Sequence, residues 1–186
     1  MSYTDFYHAN KSANGIALRL DVGLLNDDVS NVFDGFFANE NPETLKSYED
    51  KGMSIYKCSI NKENIISSRN LQKTPENMAI LKSICNVDDG NILDMFSDFI
   101  FLGRSNIVDL EAFIDVIPTK ADYTPNATKA GKLNFLKHEI IRLKGRIAAK
   151  LGYDGIKMTI KGQTLVLIVN PLIEWQYVEK KIAQAA

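Results

Sequence analysis

The sequence predicts an α+β fold, on three observations. Alternating or apolar β-prone runs gather at the two ends of the chain, at 3–8 (YTDFYH), 53–60 (MSIYKCSI), 153–160 (YDGIKMTI) and 163–169 (QTLVLIV). The middle, about 74–130, instead repeats its apolar residues at helical spacing. A long helical period at 132–151 then leads into the last two runs. Strands set apart from a helical middle, not alternating with helices, fit α+β better than α/β.

The elements follow in order. Residues 3–8 are aromatic-rich and suit a first strand. Asn14-Gly15 marks a turn and Asn26-Asp27-Asp28 a polar loop. GFFAN (35–39) is an apolar burst of short-strand length. Asn41 then offers an N-cap and Pro42 an N1 residue for a helix that runs to about Asp50 and stops at Lys51-Gly52. That helix puts Leu45 and Tyr48 on one face. Residues 53–60 read as a strand.

Thr74-Pro75-Glu76 opens a helix with Met78, Leu81, Ile84 and Cys85 on its apolar side. Residues 92–102 and 107–117 predict two more core-facing helices, the second ended by Pro118, and 119–130 a surface loop. The helix over 132–151 carries Leu133, Leu136, Ile140, Leu143, Ile147 and Leu151 at spacings of three and four, with Gly152 placed to end it. His138 falls among Lys137 and Arg142 and reads as solvated or helix-stabilising. Residues 153–160, the turn Lys161-Gly162 and 163–169 form a hairpin whose second strand is apolar enough to be central. The tail, 172–183, reads as an amphipathic strand or short helix around Trp175 and Tyr177.

Bulk numbers narrow the function. The chain has 186 residues, 45% hydrophobic and 24% charged, the size and composition of one globular domain over 1–186. A net charge of −1 and a pI of about 6.1 argue against general nucleic-acid binding. Two cysteines, Cys58 and Cys85, and two histidines give no metal-ligand spacing, so no metal is expected and the thiols read as reduced and buried. No leader pattern or membrane-length apolar run is present, which makes a cytoplasmic protein without a membrane partner the expectation.

Three stretches together resemble one family. Phe6-Tyr7-His8-Ala9 is similar to the Tyr-His-Gly start of the His-Tyr-Glu class of ADP-ribosyltransferases. Gly35-Phe36-Phe37-Ala38-Asn39, followed by the helix with Tyr48, resembles that class's Gly-Phe-Phe segment and helix tyrosine. Leu151-Gly152-Tyr153-Asp154-Gly155-Ile156, the strand after it and Asn170-Pro171 are similar to the ending of bacterial and phage-borne members. The run 143–158 also resembles the matching region of a small phage anti-CRISPR ADP-ribosyltransferase.

The resemblance implies a split mixed or antiparallel sheet with the 74–130 helices as an insert, and NAD as substrate. It implies that His8 bonds a ribose hydroxyl, that the backbone of Ala9 holds the nicotinamide amide, that Tyr48 stacks on nicotinamide, and that Phe36 and Phe37 line the dinucleotide groove. Each has a plainer structural reading: a strand-end histidine, a packed helix tyrosine, two core phenylalanines. Ala9 stands where the family prefers Gly, and a backbone contact survives there if φ stays negative.

The family glutamate is replaced: Gln163, Thr164 and Leu165 occupy its region, and Gln163 is the candidate to bond a ribose hydroxyl without charge. This excludes polymer formation more firmly than transfer of one unit. Two readings follow: a mono-ADP-ribosyltransferase acting on a protein target, as a phage or bacterial effector against a host system, or a catalytically degenerate relative that inhibits by binding.

Overall fold

In a computed structural model of the chain, residues 2–11, 33–85, 87–104, 106–119, 127–160 and 162–178 are described. The expected turn at Asn14-Gly15, the polar loop 26–28, most of the 119–130 loop, Lys161 and the tail beyond 178 lie outside them.

The strands form two sheets. β1 (Tyr3–Asn10), β3 (Ser54–Asn61) and β7 (Gln176–Tyr177) make one, antiparallel with β3 central. β2 (Phe36–Ala38), β6 (Gln163–Ile168), β5 (Gly155–Ile160) and β4 (Ile65–Ser67) make the other in that order, antiparallel except for β4 on β5. With helices α1 (Lys46–Glu49), α2 (Pro75–Ile84), α3 (Gly90–Phe101), α4 (Ile107–Glu111) and α5 (Lys129–Lys150), this is the α+β architecture the sequence predicts, with β6 central.

α5 organises the larger core. Thr128 caps it by accepting from the Gly131 amide at 3.2 Å, and Gly152 ends it at φ +86°, a conformation that favours glycine. Its apolar stripe buries Leu136, Leu143 and Ile147 completely among α2, α3, α4 and one face of β5 and β6. Gly145 lets the helix approach, because a Cβ there would stand 2.8 Å from Leu167 Cδ2. The smaller core lies on the other face of β6. Val166 and Ile168 meet Ala38 of β2, Phe6 of β1, and Cys58 and Ile60 of β3. The fully buried Phe6 alone contributes roughly 1.5–3 kcal/mol.

Three elements differ from expectation. α4 is helical only to Glu111; from there Phe113, Ile114 and Val116 bond three residues back, to Leu110, Glu111 and Phe113. These tighter turns still bury Leu110, Phe113, Ile114 and Ile117, which met the helical spacing equally well. The helix after Asn41 begins as a 3-10 turn, Pro42–Leu45, and has only one α turn. β4 was not legible, since three residues carry no period.

Candidate active site

One rung of main chain joins the sheets. Tyr7 N–H donates to Asn39 O at 2.8 Å and Asn39 N–H to Tyr7 O at 2.9 Å. Continued antiparallel pairing would next join the Ala9 amide to Phe37 O. Instead the His8 side chain takes that carbonyl, its Nδ1–H donating at 2.8 Å. The ladder stops there, and alternation along β1 turns the Ala9 peptide toward this gap in the pairing. Ala9 itself keeps the extended, negative-φ conformation of β1.

The bond to Phe37 O sets the chemistry of His8. A carbonyl accepts only from N–H, so Nδ1 carries the proton and Nε2 of the neutral ring is left as an acceptor. Burial lowers the His8 pKa from its ordinary 6.5 by disfavouring the imidazolium, and the Phe37 carbonyl partly opposes this. The ring contacts Phe36 at 4.8 Å and Trp175 at 5.9 Å, and Phe36 meets Trp175 at 6.3 Å. Tyr56, 2% exposed, is the residue directly across from His8 on β3.

The expected site residues are only partly brought together. His8, Ala9 and Phe36 meet at the joint between the sheets. Phe37 contributes its carbonyl, while its ring turns to the larger core against Phe33 at 5.0 Å. Tyr48 is 45% exposed on α1, its ring met by Lys51 Nζ at 5.9 Å, and its helix follows a 3-10 turn that lies against β1. Gln163 is exposed at the start of β6. Alternation puts it on the Leu167 side, facing away from His8, whereas Thr164 shares the side of Val166 and Ile168.

Sequence reasoning passed over three residues near the joint. Trp175 was read only as part of the tail. Glu40 follows Asn39, and its carboxylate lies 3.6 Å from Lys157 Nζ, over the same side of β6 as Val166. Asp34 precedes Gly35, whose Cβ would fall 2.5 Å from Ile168 O, so only glycine lets β2 start there. Asp34, at φ +52°, accepts from Arg146 Nε at 2.6 Å and Arg142 Nη1 at 3.1 Å, and Glu139 accepts from Arg142 Nε at 2.7 Å. This buried cluster ties β2 to α5. A signal was available in Asp34-Gly35 before the phenylalanines, but its partners lie 108 and 112 residues away.

Other polar groups serve the fold. Asp154 accepts from Asn64 Nδ2 at 2.9 Å and Asn170 Nδ2 at 2.6 Å, pinning the start of β5 to the end of β6. His138, expected to be solvated or helix-stabilising, packs edge-on against Phe33 and Phe135. Burial pushes both thiols, Cys58 and Cys85, up to about 12. No described helix is long and apolar enough to cross a membrane.

Residues 4–176 match the model of a family described as Anti-CRISPR Type I-F ADP-ribosyltransferase AcrIF11. A solved structure described as the crystal structure of an anti-CRISPR protein is similar over 95% of this chain and 96% of its own, with 16% identity and a TM-score of 0.48. No curated protein matches the sequence.

Proposed function

The chain belongs to the anti-CRISPR Type I-F ADP-ribosyltransferase family, and from that premise we propose that it moves one ADP-ribose unit from NAD to a protein of the defence system, at the joint between its sheets. In this reaction the bond between nicotinamide and the ribose anomeric carbon breaks. Its electron pair goes to the pyridinium nitrogen, so nicotinamide leaves neutral. A lone pair of the target side chain bonds to the anomeric carbon, and the proton it carried goes to solvent. The transition state places positive charge on the sugar, so the protein helps most by orienting the dinucleotide and by setting electron-rich groups near that carbon.

The observation that carries the reading is the His8 bond to Phe37 O. It fixes the ring and leaves Nε2 as an acceptor for a ribose hydroxyl. The Ala9 peptide, facing the gap, is matched to the carboxamide of nicotinamide, a group with one donor side and one acceptor side. Phe36 lines the groove, Phe37 orients His8 through its carbonyl, and Tyr48 covers the ring from the α1 side. Gln163, on the face of β6 opposite His8, takes no part in donor binding in this arrangement. Glu40, on the His8 side of β6, supplies the negative charge that the start of β6 lacks.

Incubation of the purified protein with labelled NAD and a bacterial lysate, beside His8→Ala, tests this. The expected result is a labelled protein band with the parent and none with the folded variant. Equal labelling by the two would remove His8 from the mechanism. Absence of label from both, with a partner still captured, would establish inhibition by binding instead.

A further inference from the structure

The one tryptophan of the chain, Trp175, has no role in the site described above. It sits between the Asn170-Pro171 turn and β7, in the segment that carries the chain from the end of one sheet to the edge of the other. Its indole meets His8 at 5.9 Å and Phe36 at 6.3 Å, both edge-on. His8, Phe36 and Trp175 are each only partly buried.

A second observation concerns the polar edge of the ring. Trp175 Nε1 is buried and has no hydrogen-bond partner among the described residues. A buried indole N–H nearly always finds one, and leaving it unpaired is costly. Against Ile173 and the smaller core, phenylalanine or leucine fills such a position without that penalty. The fold therefore keeps a donor it does not use, on a ring held by packing alone and in contact with the histidine of the site.

We infer that Trp175 is a donor-site residue whose indole face forms a wall against the nicotinamide ring of NAD. The inference rests on the functional reading of His8 given above, since contact with His8 selects the nicotinamide end over the adenine end. Before the reaction the nicotinamide ring is a pyridinium cation, which an indole attracts by cation–π as well as by stacking. After transfer the ring is neutral and only stacking remains. The same wall thus holds substrate more firmly than the leaving nicotinamide.

Because the chain has a single tryptophan, its emission reports on this position alone. NAD is expected to quench the full-length protein saturably, nicotinamide to do so more weakly, and ADP-ribose to leave the emission unchanged. Trp175→Ala is expected to raise KM for NAD about tenfold with a smaller change in kcat, and Trp175→Phe to recover most of that loss by restoring an aromatic face. Thermal unfolding of both variants checks that they fold.

Transfer activity with unchanged emission, or a KM for folded Trp175→Ala within about twofold of the parent, would overturn the inference and leave the NAD reading standing. Saturable quenching by ADP-ribose but not by nicotinamide would overturn it by placing the indole at the adenine end. Neither transfer nor quenching by NAD would remove it together with the functional reading.

Discussion

Asp34→Asn tests whether the buried charge cluster holds β2 in place. Asp34, Glu139, Arg142 and Arg146 have side chains 11%, 6%, 6% and 8% exposed, and their formal charges cancel. Asparagine matches aspartate in shape and accepts the +52° φ at this position, so the backbone is spared and the charge alone is removed. The cluster then carries one uncompensated positive charge. Arg146 loses the charge partner of its Nε, with its Nη2 already unpartnered. Breaking a buried pair in this way costs about 3–5 kcal/mol. Domains fold with about 5–15 kcal/mol, so the loss is a large share of the total. At roughly 2–4 °C per kcal/mol for a chain of this size, Tm should fall by roughly 6–20 °C. Thermal unfolding at neutral pH, with urea unfolding to check that the m-value is unchanged, measures it. A fall of less than about 2 °C would refute the reasoning and mean that the cluster is solvated or readily replaced.

Two further outcomes follow from the site. The His8 pKa is lowered on folding by burial, so below the ordinary value of 6.5 the unfolded chain takes up a proton before the folded one does. Stability should therefore drop as pH falls from 6.5 toward the lowered value and level off below it, and Tm of the parent minus that of His8→Ala, followed from about pH 8 to pH 5, should shrink across that window. For Glu40→Gln, in which size is kept and charge removed, the expected result is a kcat lower by at least about tenfold with KM for NAD little changed. Activity within about twofold of the parent would show that charge near the sugar comes from elsewhere.

The sequence made some of this legible and hid the rest for identifiable reasons. α5 announced itself by period and by Gly152, both local signals, while its Thr128 cap fell in the stretch read as loop. The β5–β6 hairpin did so by a turn between two apolar runs. The face on which Gln163 falls was not readable, because the second half of β6 is buried on both sides and a continuous apolar run carries no parity. Leu167 serves one core, Val166 and Ile168 the other, and only that division orients the start of the strand. His8 was visible as a candidate, but its partner Phe37 O lies 29 residues on and depends on a single bridge between sheets. Trp175 looked like any tail aromatic, since what distinguishes it is a missing partner, which no sequence displays.

The joint between the sheets explains why these residues work together. An antiparallel ladder satisfies main-chain groups rung by rung, and ending it inside a protein leaves donors and acceptors that need other partners. Here the ladder ends after Tyr7–Asn39, and the imidazole of His8 occupies the acceptor that the next rung would have used. That substitution does two things at once. It satisfies Phe37 O, so β2 can diverge from β1 without an orphaned carbonyl, and it fixes the tautomer that presents Nε2 as an acceptor. The amide that would have bonded Phe37 O, that of Ala9, faces this gap in the pairing. Alanine suffices there because the strand stays extended and the contact is made by main chain. The recognition groups proposed here for the donor thus arise from one break in the pairing of β1 with β2. His8→Ala removes the donor to Phe37 O as well as the Nε2 acceptor, so its effect on the position of β2 has to be separated from its effect on chemistry.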